Sequence, residues 1–460
     1  DTTLDVSDGV FYGMINCSNV VVRNAFSENG FKNIMVVDCS NVTLENATSL
    51  NAENADLYLN NVTESLFKDI LMQHVTWDIL NLYAYNVRDT KFENITADAS
   101  NHRGAGVKLQ ASINNTIANS TIARNSVGVQ IVGGENNTIR LCTISSAGSY
   151  GVQIQSTRNT VDSNEIYSCH TGVKLEGQWN VVENCSITSN QYGVGIYSSN
   201  NEIFTNNIVG NFRDGIYIES GNNVIENNYI ANNGWNGIKL VNANFNTITA
   251  NIIEDDSQSG QYSGIYLSNS DYNTISSNII SNDCRGIFVD TGSQENMLAG
   301  NRIVQNTYGV YLKSNNNSVS GNTIEQNNYG IYLENAYYSG ITFNRIFNNS
   351  DNGIYLTGDS YNCLILYNDI YENGEPVGNS YHYNVYNDQS HDVNATYNWW
   401  GTTDSTLINE SIYDYYDNNA KGIVYYYPYL TGTFPSPPIP EITVAILVSA
   451  GIVIVAFRRL

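Results

Sequence analysis

The chain is poor in basic residues. Lys and Arg number 20 against 44 Asp and Glu, a formal charge of −24. This excludes a nucleic-acid partner, whose phosphates require a basic face. It fits solubility and the binding of hydrated cations, with calcium the candidate ion. Cysteine is sparse too: seven scattered residues in 460 are too few for a disulfide scaffold. Proline is nearly absent, and four of the six prolines crowd into "TGTFPSPPIP" (431–440). Charged residues make up only 14%. What remains is rich in Asn, Gly, Ser, Thr and Tyr, a poor composition for helices and a good one for strands and turns.

A short motif recurs. "NNYGIYLENA" (327–336) has relatives along most of the chain. The glycine strands begin at residues 106, 128, 151, 172, 193, 215, 237, 264, 286, 309, 330 and 353. Their spacings are 22, 23, 21, 21, 22, 22, 27, 22, 23, 21 and 23. Each repeat holds two further short strands, of the types NNTI (136–139) and NEI (164–166). Three strands of three to five residues per period predict a coil in which each strand pairs in parallel with its counterpart one turn later. That is a right-handed parallel β-helix, all-β. In GIYL the Ile and Leu, two apart, face inward. Glycine serves a corner where a Cβ would clash. Asparagine tolerates left-handed corners and hydrogen-bonds its own kind one rung up.

The first hundred residues are less regular but keep the period in "NIMVVD" (33–38), "ADLYLN" (55–60) and "DILNLY" (78–83). Cys17 and Cys39, 22 residues apart, belong on neighbouring rungs, as stacked thiols in preference to a disulfide. "YHYNVYND" (381–388) reads as a last rung. The count is roughly 16 coils at about 4.8 Å each. The expected organisation is 1–100 irregular coils, 101–396 regular repeats, 397–430 a C-terminal cap, 431–441 a Pro-rich spacer and 442–460 a transmembrane anchor. In the cap, Asp404 is placed to start a short helix through "STLINESIYDYYD", with "GIVYYYPYL" (422–430) as a final strand. "ITVAILVSAGIVIVAF" (442–457), followed by Arg458 and Arg459, predicts a single C-terminal transmembrane helix with the basic pair on the cytoplasmic side. The coils would then lie on the extracellular face of the membrane. Asp1 opens directly on repeat-like sequence, as a processed or truncated start would.

The repeats G-[IV]-x-[LIV], N-x-T-[IV] and N-x-I over about residues 15–390 resemble the NosD-type parallel β-helix repeat within the pectin-lyase-like fold. That resemblance implies a periplasmic or surface setting. The functions it implies are copper handling, carbohydrate binding, or sugar hydrolase, lyase or epimerase activity. "YNWWGTTD" (397–404) looks like the segment that closes such domains in surface proteins. The tail resembles archaeal C-terminal sorting signals, with Pro440-Glu441-Ile442 in place of a tripeptide that ends in Phe.

Copper would call for thiol, thioether and imidazole ligands. The five His (74, 102, 170, 382, 391) and four Met (14, 35, 72, 297) include no His-x-His pair, and no metal site is assigned. Catalytic candidates are the charged residues around the one long coil: Arg213, Asp214, Asp255 and Asp256, as paired carboxylates for acid–base work with an Arg for uronate chemistry. Binding candidates are the outward middle residues of the glycine strands, Tyr217, Tyr266, Phe288, Tyr311, Tyr332 and Tyr355, joined by Trp235. They predict an exposed stripe on which sugars or partner proteins stack, or alternatively a stacking ladder that stabilises rungs. Sequons at Asn41, Asn46, Asn61, Asn94, Asn316, Asn348 and Asn394 are glycosylation candidates. Two readings follow. One is a surface-anchored β-helix with a structural role, or one that binds extracellular polysaccharide or cell-surface proteins. The other is a polysaccharide lyase, hydrolase or epimerase.

Overall fold

A computed structural model describes residues 2–5, 12–74, 80–100, 104–256, 261–377, 380–433, 443–449 and 452–458. The chain forms two compact units, Asp1–Phe212 and Arg213–Leu460. Each is built from turns of parallel β-helix, about 17 in all. The alternation of the glycine strands sets the core. Tyr329–Glu334 pairs in parallel with Asn352–Thr357, placing Ile331 beside Ile354 and Leu333 beside Leu356. All four are fully buried. In the first unit Val107 and Leu109 meet Val129 and Ile131 in the same way. Each such side chain contributes roughly 1.5–3 kcal/mol of burial. The irregular start obeys the same rule, with Ile34 beside Leu57 and Leu57 beside Leu82. Cys17 and Cys39 are free thiols on adjacent rungs, and the Cys17 N–H donates to Cys39 Sγ at 3.3 Å.

The glycines and asparagines divide the corner work as expected, and other residue types share the left-handed corners. The glycine that opens each strand is not left-handed. At Gly330 a Cβ would lie 2.4 Å from the Gly353 carbonyl oxygen, so the residue is needed for close rung approach. The left-handed corners belong to other residues, for example Asn335, Tyr338, Phe343 and Asn348, with φ of 52–60°. The residue after such a corner is often a buried asparagine. In the second unit Asn246, Asn273, Asn296 and Asn317 form one file, each backbone N–H donating to the next side-chain oxygen at 2.8–3.0 Å. Asn251, Asn278, Asn301, Asn322 and Asn344 form another. Each side-chain amide also donates inward, as Asn301 does to the Ile275 carbonyl at 2.9 Å. The ladder thus satisfies the polar groups that every corner would otherwise bury unpaired.

After the last regular rung, Val385–Asp388 adds to Asn352–Thr357. The helix that Asp404 caps is shorter than expected, Ser405–Glu410, with the Asp404 carboxylate accepting from the Thr406 N–H at 2.9 Å. Its continuation turns back to strand: Ile412–Tyr413 pairs with the 385–388 rung, and Val424–Tyr425 with Val393–Asn394.

The tail corrects the expectation of a transmembrane helix. Thr443–Ser449 and Ile452–Arg458 form an antiparallel pair, with Val444 opposite Phe457 and Val448 opposite Val453. Among the described residues no helix is long and apolar enough to cross a membrane. The stretch is dominated by Val and Ile, which favour strands over helix. Residues 434–442 and 459–460, which hold most of the spacer and the sorting-like tripeptide, lie outside the described residues.

One ladder of the second unit departs from asparagine. Its members run Asn233, Asp256, Asp283, Asn306, Asn327, Asn349 and Asn373. Asn327 uses both ends of its amide: Oδ1 accepts the Asn306 N–H at 2.9 Å, and Nδ2 donates to the Glu325 and Ile303 carbonyls and to Asn349. Asp256 and Asp283 keep the accepting half, with Oδ1 taking the N–H of Asn233 at 2.7 Å and of Asp256 at 3.0 Å. Their Oδ2 atoms face Gly237 and Gly264 as the amide nitrogens of Asn306 and Asn327 face Gly286 and Gly309. Both Oδ2 atoms are buried without a partner. A protonated Oδ2 can donate there as the amide does; an ionised one cannot. Burial first, then the neighbouring acids Asp255 and Glu254, hold the Asp256 carboxyl well above the usual range, and burial with the charge of Asp256 does the same to Asp283.

The unfolded chain ionises these groups near pH 4, below their folded values. Their contribution is therefore present in acid and lost as pH rises through the folded values. The Asp256→Asn/Asp283→Asn variant is expected to be more stable at pH 7 by about 2–4 kcal/mol. It should also lose this part of the pH dependence. Thermal denaturation between pH 4 and 8 measures both effects.

Candidate functional site

The glycine strands of the second unit carry their middle residues in one file. Ring centroids lie 5.3 Å apart from Tyr266 to Phe288, 4.8 Å to Tyr311, 4.9 Å to Tyr332 and 4.9 Å to Tyr355. The file continues through Tyr386 and Tyr413 at 5.1 and 4.1 Å. Tyr308 and Tyr329, one residue before the glycines, pack against its side. The rings spend their faces on one another. Phe288 is only 8% exposed and Tyr311 9%, so the open flat stripe expected from the alternation is instead a column seen at its edges.

What the column offers outward is a row of phenol–carboxylate pairs. The Tyr266 hydroxyl donates to Asp290 Oδ2 at 2.8 Å and the Tyr355 hydroxyl to Asp388 Oδ2 at 2.8 Å. Tyr311 donates to Glu334 and Tyr217 to Glu219. Each acceptor of the first three stands two residues past the middle position of the next rung. Burial, and then the carboxylate, pushes the Tyr266 phenol up to about 12, so it remains a donor at all ordinary pH. Two of the acids also have lysines: Glu334 pairs with Lys313 at 3.3 Å and Asp388 with Lys421.

At the head of this column lies a cleft of about 240 Å³, walled by Lys239, Tyr262, Ser263, Tyr266, Arg285 and Phe288. Lys239 takes the middle position between Tyr217 and Tyr266, its ammonium 5.8 Å from each ring centroid. Arg285 lies beside Ser263 in register, its guanidinium 4.7 Å from the Phe288 ring. One guanidinium nitrogen of Arg285 donates to the Gln261 carbonyl at 2.8 Å. Behind the cleft Trp235 stacks on Tyr262, and Arg213 sits over Trp235 at 4.6 Å. Two buried polar atoms at the wall have no partner: Ser263 Oγ and Arg285 Nε. Several cations of the second unit are ion-paired, Arg302 with Glu325 and Lys313 with Glu334 for instance; among the described residues no ion pair is seen for Lys239 or Arg285. A larger cavity of about 370 Å³ in the cap, walled by Tyr371, Trp399 and Trp400, contains Glu372 but no cation.

The four residues chosen from sequence for catalysis do not converge. Asp214 is buried and accepts from the Asn236 backbone and amide at 3.1 and 2.8 Å; burial raises its pKa. Asp256 belongs to the ladder. Asp255 is an exposed left-handed corner with φ 54°. Arg213 packs on Trp235. Of the binding candidates, Tyr266 and Phe288 wall the cleft and the others continue the column or flank it. Lys239 carried a signal, as a charge where both neighbouring repeats place rings; Arg285 stands between Ser263 and Tyr308. Ser263 carried none.

The sequons differ in what their amides do. Asn41, Asn46, Asn61 and Asn94 donate to Asn19, Asn24, Asp38 and Asp69 in exposed ladders at 2.6–2.8 Å. Asn316 reaches Gln294 at 3.5 Å, and Asn348 is an exposed corner. Asn394 is exposed, and its oxygen accepts from the Thr396 N–H and hydroxyl.

The family model described as right handed beta helix region matches residues 74–203 and 171–317, together more than half of the chain. The chain therefore belongs to the right-handed β-helix proteins. Within them it is of NosD type: the model described as periplasmic copper-binding protein (NosD) matches residues 256–413. No curated protein matches it. Among solved structures it is similar to the mannuronan C-5 epimerase A-module of Azotobacter vinelandii, at 14% identity over 66% of this chain and 90% of that one, TM-score 0.46. It is also similar to the tailspike protein of E. coli bacteriophage HK620 in complex with pentasaccharide, at 10% identity over 84% and 72%, TM-score 0.44. DFA-IIIase from Arthrobacter chlorophenolicus matches at 12% identity over 56% and 83%, TM-score 0.42. At such values these likenesses pass no activity or ligand to this chain.

Within 256–413, Cys363 is buried, its thiol donating to the Ala336 carbonyl and pushed up to about 11 by burial. His391 faces Asp359 at 3.5 Å, and Met297 is exposed in another file. Among the described residues no three His, Cys, Asp or Glu gather as ligands.

The depth of the aromatic column has a measurable consequence. Phe288→Ser/Tyr311→Ser removes two nearly buried rings and should cost roughly 4–6 kcal/mol. Denaturant unfolding should show this as an early transition, whatever the variant binds.

Proposed function

We propose that the protein is an extracellular β-helix that binds an extended carbohydrate along the glycine-strand face of its second unit. The observation that carries this reading is the row of phenol–carboxylate pairs on alternate rungs, at Tyr266, Tyr311 and Tyr355. Each pair holds an acceptor oxygen in place beside an aromatic edge. Sugar hydroxyls bind well to such fixed acceptors, and the rings hold them with little loss of side-chain entropy. Repetition at every second rung suits a polymer, whose affinity grows by many weak contacts. The NosD match agrees with a place outside the cytoplasm.

A second reading is a polysaccharide-active enzyme. It is favoured by the cleft at the head of the row, which Lys239, Arg285 and Tyr266 line together. A sugar bound there would have cations and a phenol within reach of one ring.

Tyr266→Phe/Tyr355→Phe keeps the column and removes two hydroxyls. It is expected to weaken retention on immobilised polysaccharide about three- to tenfold while leaving the melting temperature within a few degrees. Equal retention by parent and variant across a panel of neutral and acidic glycans overturns the binding reading. Shortened or unsaturated products in the same incubations would establish the enzyme reading instead.

A further inference from the structure

The cleft at the head of the column is built for charge. In a chain of net charge −24, two cations that form no ion pair share one small cavity, and Lys239 acts only at longer range on the Asp214 carboxyl. Lys239 stands between two tyrosine rings, and Arg285 has its guanidinium against Phe288. A surface cation costs little when unpaired in water. Here, however, Arg285 Nε is buried and lacks an acceptor, and Ser263 Oγ, on a residue 1% exposed, lacks a partner at the same wall. Buried donors without acceptors are costly, and an oxyanion placed between them and Lys239 would satisfy all three. Tyr262, backed by Trp235, supplies an apolar wall for a ring carrying that anion. The volume, about 240 Å³, is below that of sites for drug-sized ligands and suits a single ring.

We infer that this cleft takes the oxyanion of an acidic sugar residue, with Arg285 and Ser263 donating to its oxygens and Lys239 neutralising it. The inference rests on the carbohydrate-binding reading and names the charged sugar as what fixes the polymer's register. The hydroxyl-bearing sugars beyond it run along the row, where Lys313 and Lys421 offset two of the acids. Carboxylate and sulfate sugars present the same chemistry to the cleft.

The test uses the whole chain and three short probes: trigalacturonate, a sulfated galactotriose and neutral galactotriose, titrated by calorimetry at low and moderate salt. The parent is expected to bind the anionic probes at least tenfold more tightly than the neutral one, with the difference shrinking as salt rises. The tighter of the two anionic probes identifies carboxylate or sulfate as the natural group. Lys239→Gln/Arg285→Gln should erase the preference, whereas Arg302→Gln, which removes the same kind of charge at an ion pair elsewhere, should keep it. Lys239→Gln alone, at a half-buried site, should lower the preference about threefold or more and serves if the double variant folds poorly. Equal binding of all probes by the parent, or a preference unchanged in Lys239→Gln, overturns the inference and leaves the carbohydrate-binding reading standing. Failure of every probe and of long polysaccharides alike overturns both.

Discussion

The structure depends on a backbone N–H donated to the side-chain oxygen of the asparagine one turn later. Every corner of a β-helix takes polar backbone out of water without a strand to receive it. The buried asparagines solve this with a group that accepts on one side and donates on the other, so one residue per corner serves two rungs. The glycine beside such a corner is a consequence: rungs stacked at this spacing leave no room for a Cβ over the next carbonyl. The inward Ile, Val and Leu then fill the core of each unit. The functional face is what this arrangement leaves over, the outward middle residue of each strand.

That division explains what could be read in advance. Glycine spacing and the pairing of aliphatics two apart define the coil, because both are local and repeat many times. Residues such as Ile331, Leu333 and Asn327 have one role each, set by position in the period. The roles of Asp255 and Asp256 were not legible. In sequence they are two neighbouring acids in the one long coil; in the fold one is a solvated corner and the other a ladder member, because adjacent residues at a corner face opposite ways. The aromatic file was legible as a file and not as a surface. Its spacing follows from the rungs, but how far each ring tilts over the next, and so how much face stays open, depends on packing.

The tail shows the same limit from another side. Hydropathy alone does not separate one apolar helix from two apolar strands. The β-branched content of 443–449 and 452–458 favours the antiparallel pair of strands. The cleft shows the converse. Lys239 stood out only because both neighbouring repeats place rings in its column, and Ser263 and Arg285 became noticeable only once their buried polar atoms proved to have no partner.

The asparagine ladder also bears on chemical ageing. Asparagine followed by glycine is the dipeptide most prone to deamidation, since the next backbone nitrogen easily attacks the side-chain carbonyl and closes a succinimide. This chain carries several such pairs at its corners, Asn233-Gly234, Asn236-Gly237 and Asn373-Gly374 among them. In the ladder that attack has no room to start. Asn373 holds its amide nitrogen to two carbonyls and to Asn384, while its oxygen accepts from Asn349. Asn236 is fixed between Asp214 and the Ser263 N–H. A network that exists to satisfy backbone groups therefore also keeps a very asparagine-rich chain from slowly converting itself to aspartate.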